Sequence, residues 1–176
     1  MRSLIIDELK NRFTNWSEVQ CNYYSEACIV QLEELNHQSG VTLVVTGYSS
    51  EVFNLVWTSK PVTRGWRATA KLTENAATAI AFFLIVELTE YSVVEESRIG
   101  TGINYWLGYD ENHELYDEDN FMKARLEISG IKNDYASIAN RVKTKLKQTS
   151  ASDTTGLPAY VVVVEFGFPT AIIIKK

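Results

Sequence analysis

The sequence has few of the residues from which metal, redox and nucleophilic sites are most often built. Its 176 residues include two cysteines and two histidines. Cys21 and Cys28 lack the CxxC spacing of a metal or redox site, so we interpret them as buried free thiols. His37 and His113 are isolated, which argues against a histidine-rich zinc site. Neither a Gly-rich phosphate loop nor a GxSxG nucleophile motif occurs.

Long hydrophobic runs are also missing, which argues against export and against a membrane span. Asp7 and Glu8 follow the first apolar residues too soon for the apolar stretch of a signal peptide. The longest apolar run, 76–86, is too short to cross a bilayer. The sequence therefore predicts a cytoplasmic protein with no membrane partner and with reduced thiols.

Composition predicts a folded domain that does not attract phosphate by its overall charge. With 45% apolar residues, the chain can fill the core of one domain spanning 1–176. Its net charge of −5 means that nucleic acid would have to bind at a local basic face. The candidate face is a predicted helix that carries Arg141, Lys143, Lys145 and Lys147. Alternatively, these cations form a solvated surface close to a favourable helix dipole.

The chain is predicted to divide into an extension and an α/β core. Residues 1–68 are expected to form a helix and a β-meander, with the helix at 4–13 and strands at 26–34, 41–46 and 52–58. The core, 73–168, begins with a buried helix that is capped by Thr73 and runs to about residue 91. It continues with strands at 92–97, 103–107 and 121–129, a helix at 133–147 and a strand at 159–166. One further strand is expected at 171–174.

This order of helix, three strands, helix and strand resembles the core of the PD-(D/E)xK superfamily, the restriction-endonuclease-like nucleases. The resemblance covers about residues 73–168. It implies an acid on the second strand, a Glu or Asp followed two positions later by Lys on the third, and often a Glu on the first helix. Such carboxylates hold Mg²⁺ or Mn²⁺, which activates water, and the lysine stabilises charge on the reacting groups.

The signature residues are matched only in part. Glu127 aligns with the third-strand acid, whereas Ser129 stands where the lysine is expected. Asn104 stands where the second-strand acid is expected, and Glu87 aligns with the helix acid. The resemblance therefore implies Glu127, Glu87 and Asn104 as metal ligands. It implies Glu127, Asn104, Arg125 and Ser129 as the catalytic set.

Arg125 enters this set because strand alternation puts it on the same face as Glu127, where it would replace the missing lysine. Arg141 and Lys145, on the next helix, are less direct replacements. Each residue also has a structural interpretation. Glu127 would form a surface ion pair with Arg125 or Lys123, Asn104 would cap a turn, and Glu87 would face solvent.

Two functions are consistent with these observations. The first is a divergent or inactive Mg²⁺-dependent nuclease. The second is a non-catalytic interaction module, as a homodimer or a subunit of a complex, with aromatic anchors at Trp16, Tyr23, Tyr24, Trp57 and Trp66. The acidic loop at 109–120 lacks the EF-hand pattern, so we interpret it as a solvated hairpin tip.

Overall fold

One eight-stranded sheet runs through the residues that the computed structural model describes, 2–176. The strands are β1 (Arg2–Ile5), β2 (Val41–Gly47), β3 (Glu51–Val56), β4 (Ser92–Glu96), β5 (Tyr105–Gly108), β6 (Ala124–Ile131), β7 (Ala159–Glu165) and β8 (Thr170–Lys175). The α-helices are α1 (Glu18–Glu34), α2 (Thr69–Leu88) and α3 (Ile138–Gln148). Short 3-10 helices lie at Ile6–Arg12, Thr63–Gly65, Glu118–Asn120, Tyr135–Ser137 and Thr149–Thr155. The predicted α/β class is confirmed.

The strand order is β1-β3-β2-β8-β7-β6-β5-β4. Strands β4, β5 and β6 pair antiparallel in sequence order, and β6 then pairs parallel with β7. The strands of the predicted extension join the same sheet, because β2 pairs parallel with β8. The expected β2–β3 hairpin is confirmed.

Helices α1 and α2 cover one face of the sheet and form the main core with it. Every residue of α2 from Ala76 to Ile85 is buried, as expected for a helix that is apolar nearly all round. By length and composition α2 alone, within residues 2–176, would pass for a membrane span, yet 67% of its most apolar window is buried inside the protein. The predicted buried core helix is confirmed.

Helix α3 covers the opposite face, above β6 and β7. Ile138 and Val142 pack against Val161 and Val163, and Leu146 lies at the edge of this smaller cluster. Tyr135, Ile138, Val142 and Leu146 recur at three- and four-residue steps, which predicts an apolar stripe; the last three are confirmed as its members, whereas Tyr135 is exposed. Because helices lie on both of its faces, β7 is buried along its whole length, in agreement with its unbroken run of valines.

The segment predicted as the first meander strand, 26–34, is instead the second half of α1. Its consecutive apolar residues, including Ala27, Cys28, Ile29 and Val30, are buried between α2 and the sheet, so that no single apolar stripe marks the helix. Such a short apolar run does not distinguish a strand from a buried helix. The start of the helix does carry a signal, because the Ser17 hydroxyl accepts a hydrogen bond from the backbone N–H of Gln20.

Several other element types and boundaries were also predicted wrongly. The helix expected at 4–13 is β1 followed by a 3-10 helix, because Leu4 pairs with Leu55 as part of the sheet. Helix α2 begins at Thr69, so Thr73 is not its cap. The Thr73 hydroxyl instead donates to the buried Gln31 side chain at 2.5 Å. Elements β5, β6 and α3 begin a few residues later than expected.

The close approach of β6 to α2 gives a test of the packing. A Cβ atom at Gly130 would lie 2.4 Å from the backbone oxygen of Thr73. We therefore expect Gly130→Ala to lower the free energy of unfolding by about 1–3 kcal/mol, as overpacking does. Gly65→Ala is the control, because nothing lies within 4 Å of a Cβ there. Urea unfolding of both variants would measure the difference, and equal stabilities would contradict the close contact.

Candidate functional site

A groove lies along the open end of β6, between the N-terminal part of α2 and helix α3. The pairing of β5 with β6 ends at Tyr105 and Leu126, so the rest of β6 has no strand neighbour on that side. The groove has a volume of about 800 Å³. Its lining includes Glu74 from α2, Ser129 from β6, and Arg141 and Lys145 from α3. We call it the β6 groove.

Glu127 is a fully buried carboxyl group beside this groove. Its Oε1 accepts hydrogen bonds from Lys145 Nζ at 2.6 Å and from Gln148 Nε2 at 3.0 Å. Its Oε2 has no hydrogen-bond partner within residues 2–176. Burial raises the pKa of Glu127 and the charge of Glu74 raises it further, while Lys145 opposes both effects. Glu127 is therefore a buried group whose cation comes from α3, and not a member of a surface pair with Arg125 or Lys123.

Asn104 immediately precedes β5, where the pairing of β5 with β6 ends. Its Oδ1 accepts a hydrogen bond from the backbone N–H of Ile128 at 2.6 Å. The backbone N–H of Asn104 donates to the carbonyl of Leu126. The side chain thus extends the pairing of β6 by one step beyond β5. This contact fixes β6 next to Glu127, and it engages the amide oxygen that was predicted as a metal ligand.

Arg125 and Ser129 share the Glu127 face of β6, but each is engaged elsewhere. Arg125 is 3% exposed. It donates to the carbonyls of Leu157 and Thr149 and forms an ion pair with Asp153 at 3.1 Å. Arg125 therefore anchors the segment after α3, and the ammonium beside Glu127 belongs to Lys145. Ser129 accepts a hydrogen bond from Arg141 Nη1 at 2.8 Å.

The structure does not bring Glu87 to this site. Glu87 lies at the C-terminal end of α2 and pairs with Arg2 at 3.1 Å and with Arg12 at 2.6 Å. The α2 carboxylate that lines the groove is Glu74, in the second turn of the helix. Sequence reasoning missed Glu74 and Gln148, because the direction of α2 relative to β6 decides which end of the helix faces Glu127.

The basic face predicted on α3 divides into two parts. Arg141 and Lys145, one helical turn apart, are partly buried and line the groove. Lys143 and Lys147 are exposed and are not among the groove residues. Two further cations, Lys71 and Arg98, line an adjoining hollow that shares Glu74, Ile128 and Gln148 with the groove. Cations from three different elements therefore surround the site.

The aromatic residues proposed as interface anchors are mainly core residues. Trp57 and Trp66 are buried, and their indole N–H groups donate to Glu33 and Glu26. Trp16 donates to the carbonyl of Val93 at the edge strand β4. Tyr24 is partly buried against the main core, which leaves Tyr23 as the most exposed member at 40%. Cys21 and Cys28 are buried free thiols, as expected.

The groups that would hold a divalent metal at this site are the free Glu127 Oε2 and the carboxylate of Glu74. A site with three or more His, Cys, Asp or Glu residues does not occur in the described range, 2–176. Mg²⁺, however, often binds proteins through one or two carboxylates and keeps several waters. A carboxylate oxygen that the described residues leave unpartnered, with a second carboxylate near enough for its charge to raise the pKa of Glu127, fits that mode of binding.

Comparisons of this chain with protein-family models, with curated proteins and with solved structures found no match.

The buried Glu127–Lys145 ion pair predicts how the free energy of unfolding changes when Lys145 is replaced. Lys145→Met should lower the free energy of unfolding at pH 7 by about 3–5 kcal/mol, because it leaves a buried carboxylate without its cation. The loss should shrink as the pH falls through the raised pKa of Glu127, since a protonated carboxyl does not need a cation. The control is Glu127→Gln with Lys145→Met, which should recover most of the loss. Denaturant unfolding in EDTA would measure all three proteins, and a double variant no more stable than Lys145→Met would contradict the pairing.

Proposed function

We propose that this chain is a metal-dependent phosphodiesterase that acts on nucleic acid, as a divergent relative of the PD-(D/E)xK nucleases. The observation that carries the proposal is the environment of Glu127. One of its oxygens is held by Lys145 and Gln148, and the other is buried without a partner among the described residues, while the charge of Glu74 reaches the carboxyl group and raises its pKa. The order of α2, β4, β5, β6, α3 and β7 supports the same relationship.

The metal ligands in this proposal are Glu127 and Glu74, in place of the predicted Glu87. Bound Mg²⁺ or Mn²⁺ would supply an activated water and would stabilise negative charge on the phosphate. Asn104 has a supporting role, because its amide oxygen is engaged by the backbone N–H of Ile128. It holds the strand that carries Glu127 in position.

Lys145 supplies the positive charge that the motif lysine would provide. Its ammonium group lies 2.6 Å from Glu127 Oε1 and is still partly exposed to the groove, so one group can both orient the carboxylate and contact a phosphate oxygen. Gln148 fixes the same oxygen of Glu127 from a second direction. Preorganised donors of this kind stabilise charge that develops during phosphate cleavage. Ser129 acts through Arg141, whose guanidinium it helps to hold at the groove wall.

Nucleic acid is the proposed substrate because cations outnumber carboxylates in the lining of the β6 groove and of the hollow that adjoins it. Five cations, Lys71, Arg98, Lys132, Arg141 and Lys145, line them together with three carboxylates, Glu74, Glu96 and Asp134. A local field of this sign attracts phosphate in spite of the net charge of −5. The buried free thiols and the mostly buried α2 fit the cytoplasmic location that we also propose.

A second candidate is an inactive relative that binds nucleic acid or a protein partner without cleavage. The observation that favours it is the position of Asn104, where the family has an acid. A neutral amide that is already hydrogen-bonded to the backbone adds no charge to hold a metal. The two candidates differ in their response to metal ions.

Thermal melts with and without Mn²⁺ test the proposed metal site. We expect millimolar Mn²⁺ to raise the melting temperature of the wild type, because a ligand that binds the folded state stabilises it. Glu127→Ala and Glu74→Ala should each abolish that response. Glu118→Ala, which removes an exposed carboxylate of the 109–120 loop, should retain it.

The same proteins then separate the two candidates. Mn²⁺-dependent cleavage of DNA or RNA that is lost in Glu127→Ala would support the phosphodiesterase. If Mn²⁺ leaves the melting temperature of the wild type unchanged and no cleavage occurs, the phosphodiesterase proposal is wrong. Binding of nucleic acid without cleavage would then favour the inactive relative.

The division of the basic face gives a test of the nucleic-acid surface. Arg141→Ala should weaken binding of a short DNA or RNA duplex roughly fivefold or more at low salt, because Arg141 lines the groove. Lys147→Ala removes the same charge from the exposed side of α3 and should change affinity by less than about twofold. Fluorescence anisotropy at two salt concentrations would measure both, and equal losses would place the nucleic acid outside the groove.

A further inference from the structure

A second, smaller pocket lies between the edge strand β4 and the acidic loop, with a volume of about 210 Å³. Its walls include Ser92 and Glu95 from β4, and Tyr109, Asp110, Tyr116 and Phe121 from the loop and its ends. We call it the loop pocket. It shares no lining residue with the β6 groove.

The loop pocket is acidic and has no countercharge of its own. Glu95, Asp110 and Glu111 line it, while none of its lining residues is Lys, Arg or His, as far as residues 2–176 show. Over the same range Glu95 belongs to no ion pair. Asp110 Oδ1 accepts from Asn112, whereas its Oδ2 has only a long contact of 3.4 Å with Thr14 Oγ1. A cation would therefore meet carboxylates that the described part of the chain leaves largely unpaired.

An unsatisfied hydroxyl group provides a second, independent sign of a ligand. Ser92 lines this pocket and is 6% exposed, and its Oγ has no hydrogen-bond partner among the described residues. An unpaired buried hydroxyl costs free energy. The Oγ can accept a hydrogen bond, so a ligand with N–H donors would satisfy it.

The aromatic walls indicate which kind of cation the pocket suits. Tyr109 is held in place by His113, stacked at 4.4 Å, and by Tyr91 at 5.4 Å. Tyr116 and Phe121 add two further rings to the lining. Aromatic faces attract organic cations such as ammonium groups. A hard metal ion would instead need a shell of oxygen ligands, and these rings occupy part of that shell.

We propose that the loop pocket binds an organic ammonium group, carried either by a free diamine or by a lysine side chain. Glu95 and Asp110 provide the negative charge, the rings contact the alkyl chain and the cation, and Ser92 Oγ accepts an N–H. This site is independent of the proposed phosphodiesterase activity. It also gives the 109–120 loop a binding role beyond that of a solvated hairpin tip.

The experiment is a titration followed by NMR or calorimetry at low ionic strength, with two amine probes and a neutral control. The probes are 1,5-diaminopentane, for a free amine, and Nα-acetyl-lysine N-methylamide, for a lysine side chain. The neutral control is 1-pentanol, which matches the alkyl chain without the charge. We expect saturable binding of at least one amine and none of the alcohol, and the tighter of the two amines identifies the source of the ligand.

Two variants and a matched control connect binding to the pocket. Glu95→Gln should weaken amine binding roughly fivefold or more, whereas Glu118→Gln, in the 109–120 loop but outside the pocket, should change it by less than about twofold. Ser92→Ala should also weaken binding while the melting temperature stays the same or rises, because the change removes an unpaired hydroxyl. The proposal is overturned if neither amine binds saturably to the wild type, or if Glu95→Gln and Glu118→Gln bind equally.

Discussion

The buried pair of Glu127 and Lys145 is the contact on which the arrangement of the groove depends. It joins the middle of β6 to the last turn of α3, at a point where the side chain of Glu127 is completely removed from solvent. Removing two charges from water is costly, and well-packed apolar residues often serve stability as well as a buried pair does. Stability alone is therefore a poor reason for this pair, whereas the catalytic role proposed for the carboxylate would account for it.

Contacts on the β5 side and on the α2 side hold β6 in position around the ion pair. On one side Asn104 extends the pairing of β6 beyond the end of β5. On the α2 side Gly130 lets the backbone of Thr73 approach closely, which brings the start of α2, and with it Glu74, to the groove. Arg125 fixes the segment that follows α3. These contacts position side chains from α2, β6 and α3 around one carboxyl group, although each contact is itself structural.

The sequence predicted the parts of the fold whose patterns are unambiguous and missed those decided by tertiary packing. The β-branched residues of β2 and β7 favour strands, and the length of the apolar run in α2 favours a buried helix. Helix α1 has no such clear pattern, because it is buried over much of its surface and shows no single stripe. At the candidate site, the motif pointed to Glu127, whose functional role stays a prediction. The hydrogen-bond partners of Arg125 and the position of Glu74 at the groove depend on long-range tertiary contacts. Residue spacing along the chain does not reveal these contacts.

Charge on this protein is distributed unevenly between two surfaces, so an acidic chain can still have a groove whose lining holds more cations than carboxylates. Arg98 lies next to the β6 groove, just beyond the end of β4, whereas Glu95, within β4, lines the loop pocket. Salt screens exposed charges over about 10 Å, so each surface attracts a ligand mainly through the charges of its own lining. The net charge of −5 is thus a sum over distinct local fields, and it is the local field at each surface that selects the ligand.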